Sequence, residues 1–316
     1  MEDGDTLERI VRLAGCDGSS RVVEIGPGTG ALTRKILASG ARVRAIEKDD
    51  RLFAALRRTL AVHGDLGDGL ARAEEEAGEE YIEEEEGIDD DDDVEVDVEK
   101  CSAENDRTIQ SADGRLEIVH DDVLKVDLAA FSAGFDDSST ASHGSKPTLM
   151  ANLPYNITRD FLKKALPLGA RYSSLVLMLQ HEAAERLVKS TPGSPDWRAM
   201  NVLVQFYADA TYLFRVDRRL YVPRPKVDGA VVKFALKAPT ARLEVPSEAA
   251  FVSLVKRGHL QRRKVLTNSL RPLLEGDQIR ECLVSCGLSP EARAQELRVE
   301  DWVALCWAVD SVLCTD

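Results

Sequence analysis

The chain has 316 residues, 44% hydrophobic and 30% charged, a globular composition with length for one large domain or two. It holds no run of 18 apolar residues, which excludes a helical membrane span. The opening "MEDGDTLERI" is acidic and lacks an apolar stretch, so it reads as neither a secretory signal nor a basic transit peptide. The net charge of −14 is concentrated in one block, because residues 73–99 carry seventeen acids and no base. Without them 38 acids face 41 bases, and from Asn156 onward 24 bases face 18 acids. The remainder is mildly basic, as suits a protein that meets a polyanion.

Taken in chain order, "RVVEIG" (21–26) reads as a buried strand and "GALTRKILASG" (30–40) as a helix closed by glycine. "RVRAIEK" and "DRLFAALRRTLAV" form a second strand and helix. "RLEIVHDD", "TLMANLP" and "SSLVLMLQ" are the third, fourth and fifth strands, and "HEAAERLVK" is the helix after the fifth. This alternation predicts a mostly parallel sheet with helices on both faces. "YLFRV" and "GAVVKFALK" fit an antiparallel pair at one edge. After Pro239 only helical patterns follow, which predicts domains at 1–237 and 238–316.

Two segments interrupt the alternation. Residues 64–114 contain the acidic block and read as a disordered insert, too charged to bury surface that would offset its ordering entropy. Residues 134–147 read as a polar Ser/Gly loop. The larger insert joins the second helix to the third strand, so it is expected to enter that strand at its amino end, on the face away from any ligand. The six cysteines show no C-x-x-C pair and no Cys/His cluster at zinc spacing. They are expected to be packing residues, and no metal site is expected.

"VVEIGPGTGALT" places glycines at 26, 28 and 30 between a strand and a helix, where glycine permits sharp turning and close approach to a ligand. Gly26, Gly28 and Ala31 also satisfy the dinucleotide pattern, and Glu47, at the end of the second strand, would hold ribose hydroxyls in either case. S-adenosylmethionine, a nicotinamide or flavin cofactor, and a purely structural turn all remain open at this point. At the end of the third strand, Asp122 could accept from an adenine amine while the Val123 N–H meets a ring nitrogen. Equally, Asp122 could cap a helix over "VLKVDL".

"NLPY" (152–155) narrows the choice. The lone pair of an exocyclic base nitrogen is delocalised into the ring, so methylating it calls for acceptors on both amine hydrogens. The Asn152 side-chain oxygen and the Leu153 carbonyl suit that task. Pro154 stiffens the turn that aims them, and Tyr155 offers a face for an unstacked base.

"EIGPGTGALT", "IEKD", "ANLPYNIT", "LMLQHEAAERLV", "PRPKVDGAVV" and "QRRKVLTNSL" stand in the order found in the small-subunit rRNA adenine N6,N6-dimethyltransferases, which the chain therefore resembles. "WRAMNVLVQFYADATYLFRV" looks most like the plant plastid branch. The resemblance implies a class I (Rossmann-like) methyltransferase fold with a seven-stranded sheet and a helical, rRNA-binding C-terminal domain. It implies S-adenosylmethionine-dependent dimethylation of two adjacent adenines in the 3′-terminal hairpin loop of small-subunit rRNA, on a pre-30S-type particle in the plastid stroma, by a monomer without membrane attachment. By it Glu24, Gly26, Gly28, Glu47, Asp122 and Asn152 fall on cofactor positions, and Asn152, Leu153, Pro154 and Tyr155 on the catalytic motif.

The family carries a "GQNFL"-like segment ahead of its first helix, and this chain opens about where that segment would end. Weakened cofactor binding follows as an expectation, with a non-catalytic RNA-binding assembly factor as the alternative reading. A macrolide-resistance enzyme acting on large-subunit rRNA is a rival that "NLPY" and "RRKVLTNSL" disfavour, and a dehydrogenase has no hydride-transfer site here. For RNA binding, Arg224 and Lys226 in one basic run and Arg262, Arg263 and Lys264 in another are the candidates for neutralising phosphates.

Overall fold

The computed structural model describes residues 3–63, 107–135, 146–154, 156–222 and 224–314. Eight strands form one sheet: β1 (Arg21–Ile25), β2 (Arg42–Glu47), β3 (Thr108–Gln110), β4 (Leu116–His120), β5 (Thr148–Asn152), β6 (Ser174–Gln180), β7 (Ala208–Val216) and β8 (Gly229–Leu236). Their spatial order is β3-β4-β2-β1-β5-β6-β8-β7. The pairs β4–β2, β2–β1, β1–β5 and β5–β6 are parallel. Val22, Val23 and Ile25 are all buried, and six successive residues of β6 are buried, because a parallel strand is covered on both faces.

The sheet departs from the predicted seven strands, and the additional one is β3. It pairs antiparallel with β4 at the sheet edge, Thr108 opposite Val119 and Gln110 opposite Glu117. Residues 108–114 therefore belong to the sheet and the turn that leads into β4, so the insert boundary at 114 was placed too late. Three residues are too few for a period-2 pattern to show beside so many charges. The rest of that reading, 64–106, lies outside the described residues, as do 136–145 of the Ser/Gly loop. Phe135, inside the expected polar loop, is buried.

The expected entry point of the insert is also corrected. Because β3 runs against β4, the chain re-enters the sheet beside Val119, next to His120, which is the register partner of Glu47. That is the carboxyl edge of the parallel strands, where ligands bind, and not the opposite face.

Helices α1 (Gly4–Ala14), α2 (Ala31–Ala38), α3 (Asp50–His63), α4 (Leu128–Ala133) and α5 (Thr158–Ala165) accompany β1 to β6. The first of them was not read from the sequence, although its signals are there. Asp3 accepts from the Thr6 N–H at 2.9 Å as an N-cap, and Gly15 ends the helix at φ 81°. Leu7, Ile10, Val11 and Ala14 give the buried stripe. The segment after Asp122 is a turn rather than the alternative helix, which starts later, at Leu128, under an Asp127 cap.

By compactness the chain divides into two units, Met1–Gln180 with Leu213–Lys233, and His181–Tyr212 with Phe234–Asp316. In the first, one apolar cluster joins α1 (Leu7, Ile10), β1 (Val22), α2 (Ile36), β2 (Val43) and β5 (Met150). The second contains α6 (His181–Lys189), α7 (Ala199–Tyr207), α8 (Glu248–Leu260), α9 (Leu266–Ser269), α10 (Gly276–Ser285) and α11 (Val299–Leu313). There Phe206 stacks on Phe251 with ring centroids 4.4 Å apart, and the buried Trp197 donates to the Leu297 carbonyl at 3.1 Å. As expected after Pro239, all described elements beyond β8 are helical. Among the described residues no helix is long and apolar enough to cross a membrane.

Candidate active site

Register brings the predicted residues to one edge. Glu47 at the end of β2 faces His120 at the end of β4, and Ile25 at the end of β1 faces both Ile46 and Ala151. The ladder continues one residue further, with the Gly26 N–H donating to the Ile46 carbonyl and Asp121 N–H to the Glu47 carbonyl, both at 2.9 Å. Gly26, Glu47, Asp122 and Asn152 therefore leave four adjacent strands at the same carboxyl edge.

Gly26 and Gly28 sit at φ 66° and 60°, a region that L side chains disfavour, and a Cβ at either would meet no atom within 4 Å. The loop thus turns with its open side toward empty space. Glu47 clamps it: one carboxylate oxygen accepts from Gly28 N–H at 3.1 Å, and the other from Lys48 and Asp49 N–H at 2.8 and 2.9 Å. A carboxylate has about four acceptor positions, so three backbone donors leave one for a ligand hydroxyl.

Glu24 is the second buried acid of the loop. Its Oε2 accepts from the Thr33 hydroxyl at 2.7 Å, and both side chains are buried. Burial raises its pKa to about 7, the Thr33 hydrogen bond opposes this, and the nearby charge of Glu47 adds to the rise. A carboxyl whose folded pKa lies above its ordinary 4.5 ionises less readily folded than unfolded. Stability is then unaffected below pH 4.5, falls as pH rises toward 7, and carries the full penalty above it. Glu24→Gln should therefore gain stability relative to the parent as pH rises from 5 to 8, by up to about 3 kcal/mol. Urea denaturation at the two pH values measures this, and a difference that does not grow with pH would contradict it.

Asp122 is placed at the edge but is already engaged. Its Oδ1 accepts from Leu124 N–H at 2.9 Å, and its Oδ2 lies 3.1 Å from the Lys48 ammonium. Those contacts and the backbone hydrogen bond above all hold its pKa below the usual carboxylate range. Val123 is buried beside it. Lys48 was not foreseen as a site residue. His120 was not either: its ring stacks on Phe53 at 4.7 Å, and Nε2 lies 3.2 Å from the Lys48 carbonyl and 3.0 Å from Asp50 Oδ1. Both partners are acceptors, so that nitrogen carries the proton.

Asn152 ends β5 exposed, register partner of Met178, and the following Leu153 is buried as an anchor. The Pro154 carbonyl accepts from Ile157 N–H at 3.2 Å and the Thr158 hydroxyl at 3.3 Å, which closes a turn into α5. Buried Leu153 and this turn hold Asn152 at the strand end with its amide outward. Tyr155 lies outside the described residues.

The two basic runs differ in how free their charges are. Arg215 and Arg218 pair with Asp228, and Arg219 with Asp217. Arg224 and Lys226 are exposed, and neither has an ion pair among the described residues. In the second unit Arg263 and Lys264 are exposed in the turn after α8, whereas Arg262 donates to the Pro195 carbonyl. Among the described residues no cluster of His, Cys, Asp or Glu could hold a metal ion.

With the glycine loop clamped by the acid that ends β2, and Asn152 at the end of the strand next to β1, the chain matches the ribosomal RNA adenine dimethylase family over residues 1–67 and 94–310. The chain belongs to that family. It is similar to the chloroplastic ribosomal RNA small subunit methyltransferase of Arabidopsis thaliana, 30% identical over 96% of this chain and 75% of that one. It is likewise similar to ribosomal RNA small subunit methyltransferase A of Thermosynechococcus vestitus, 32% identical over 95% of this chain and 89% of that one. In fold it matches a dimethyladenosine transferase from Plasmodium falciparum, at a TM-score of 0.67 and 18% identity over 98% and 97% of the two chains. The enzyme is thus a class I methyltransferase, and its methyl donor is S-adenosylmethionine. The residues present fit that donor: an open glycine floor, a spare acceptor position on Glu47 for a hydroxyl, and a buried carboxyl in Glu24 for a cationic end.

Proposed function

We propose that the enzyme dimethylates N6 of two adjacent adenines in the 3′-terminal hairpin loop of small-subunit rRNA, on a maturing pre-30S-type particle. The observation that carries this reading is the exposed Asn152 on its buried Leu153 anchor, at the same sheet edge as Glu47 and Gly26. When bound, S-adenosylmethionine supplies an electrophilic methyl group on a sulfonium centre. Asn152 Oδ1 and the Leu153 carbonyl accept the two N–H groups of the target amine, which frees the nitrogen lone pair for attack. Pro154 keeps that pair of acceptors in register, and much of the acceleration comes from holding the reactants so. Tyr155 provides the stacking face for the extruded adenine. As the N–C bond forms the methyl–sulfur bond would break and the donor would leave as the neutral thioether; the methylated nitrogen loses its proton to solvent without a strong base, and a second transfer, with the one remaining N–H held by an acceptor, completes each adenine.

Gly26, Gly28, Glu24, Glu47, Asp122 and Val123 form the cofactor side. Arg224, Lys226, Arg262, Arg263 and Lys264 position the RNA by its phosphates, and residues 238–316 serve as the helical rRNA-binding domain. The chloroplastic relative favours the plastid stroma as the place of action. Labelled S-adenosylmethionine with undermethylated small-subunit particles should give methyl incorporation, and large-subunit RNA should give none. Incorporation into large-subunit RNA alone would overturn the reading.

Two RNA-binding results follow. Changing Arg262, Arg263 and Lys264 together to Ala should weaken particle binding and reduce the log–log salt slope. Each lost phosphate contact is worth about 0.7–0.9 of slope. Arg262 is partly engaged with Pro195, so a drop near that of two contacts is expected. An unaltered slope in a filter-binding series would return the cluster to plain solvated surface.

The second result concerns the acidic block. Its seventeen acids end nine residues before Thr108, a tether of at most about 30 Å, and Thr108 stands at the ligand edge. Deleting 73–99 should leave the fold and the methylation pattern intact while tightening RNA binding more at low salt than at high salt, where screening falls to a few ångströms. Equal affinities of the two forms at both salt levels would contradict it.

A further inference from the structure

The glycine loop is tied to its surroundings on two sides. Glu47 holds Gly28 from β2, and on the other side Thr33 of α2 reaches back to Glu24 of β1. The second tie has an unusual form. The N-cap position of α2 is Gly30, at φ 84°, and it makes no side-chain cap hydrogen bond. A threonine within a helix commonly turns its hydroxyl to a carbonyl one turn earlier. Thr33 spends its hydroxyl on Glu24 instead, and among the described residues this is the only hydrogen bond of the Glu24 carboxyl. With Oε2 fixed, the direction of Oε1 is fixed as well, and among the described residues Oε1 has no hydrogen-bond partner.

Glu24 is surrounded closely enough to say what acts on it. On β2 its register partner is Ala45, on β5 it is Met150, and α2 supplies Thr33. Glu47 is the one charged group of the described residues that acts on it, and it disfavours ionisation. Among the described residues Thr33 is thus the only neighbour that favours the carboxylate. The amino-acid end of S-adenosylmethionine carries an ammonium, and a desolvated carboxylate with one free oxygen is a strong partner for such a cation.

We propose that Thr33 is a positioning residue for the cofactor, aiming Glu24 Oε1 at the cationic amino-acid end of S-adenosylmethionine. The proposal rests on the cofactor reading above and adds to it the residue that sets the geometry and charge of the acid. It also separates two parts of the ligand, because the adenosine end is served by Glu47 and Asp122 and does not depend on Thr33.

Calorimetry with two probes tests this: S-adenosylmethionine, and 5′-methylthioadenosine, which keeps the adenosine and lacks the amino acid. Thr33→Val, close in volume, should weaken S-adenosylmethionine about tenfold, the usual effect of losing one hydrogen bond to a charged group, and leave 5′-methylthioadenosine within about twofold. Thr33→Ser should restore S-adenosylmethionine affinity to within about threefold. Glu24→Gln should show the same selectivity as Thr33→Val, and the double variant should bind no worse than Glu24→Gln alone, since both changes remove one interaction. Equal weakening of both probes, or additive losses in the double variant, would overturn the proposal and leave Thr33 a packing residue. If Thr33→Val does not fold, Thr33→Ser and Glu24→Gln still decide it: unchanged selectivity in Glu24→Gln overturns the proposal. A parent protein that binds neither probe would overturn the cofactor reading itself, a result distinct from any of these.

Discussion

Asn152→Ala should abolish methyl transfer while leaving S-adenosylmethionine affinity within about tenfold of the parent. The side chain is exposed at the end of β5, so its removal opens no cavity, and Leu153 and the Pro154 turn remain to hold the backbone. On the proposed reading, what disappears is the acceptor that the target amine needs most in the transition state, when its nitrogen becomes pyramidal. Removing one preorganised group of this kind costs roughly 10²–10³ in rate in other enzymes, and in the proposed reaction the effect falls on every methyl transfer. Single-turnover kinetics with saturating RNA and cofactor separate the chemical step from binding. Near-normal turnover by the variant would remove Asn152 from its assigned role.

Glu47→Ala should be the most damaging change on the cofactor side, and it should act on stability as well as binding. The carboxylate is buried and accepts from three backbone N–H groups, those of Gly28, Lys48 and Asp49. Truncation leaves these donors without a partner, at about 1–3 kcal/mol for each that water cannot reach. A loss of about 3 kcal/mol in urea denaturation is expected, together with cofactor binding too weak to measure by calorimetry. Glu47→Gln keeps one acceptor oxygen, which can serve Gly28 or the Lys48 and Asp49 pair but not both, so it should recover part of the stability and lose cofactor affinity. Full stability in the Ala variant would mean that the loop is held by something other than this clamp.

The chemistry-bearing frame was legible where the pattern is local. Buried runs such as "RVVEI" and "SLVLMLQ" identify parallel strands because both faces are covered, and the glycines after β1 mark a turn that passes through positive φ. The turn after β5 was readable from Pro154, whose carbonyl closes it onto Ile157. Other features depend on partners distant in sequence. Lys48 meets Asp122 only because β2 and β4 are neighbours, and Thr33 meets Glu24 only because α2 folds back over β1. The acid at 122 admitted two local readings, an adenine acceptor or a helix cap. The structure gives it an Asx turn to Leu124 and an ion pair, with the helix starting only at Leu128. β3 escaped notice for another reason: "TIQ" adds to the sheet only by pairing with β4, and nothing in three residues announces that. Its direction nevertheless decides which edge the acidic insert approaches.

The central claim is that Asn152 delivers two adjacent adenines, one after the other, to the methyl donor. An adenine with two methyl groups on N6 has no N–H left for Watson–Crick pairing, so reverse transcriptase stops beside it. Primer extension across the 3′-terminal hairpin, on undermethylated small-subunit particles treated with the enzyme and S-adenosylmethionine, therefore locates the product directly. The parent enzyme should produce paired stops at two neighbouring adenines of the loop, with no stop from Asn152→Ala. Stops elsewhere in the RNA, or equal stops with both proteins, would contradict the claim.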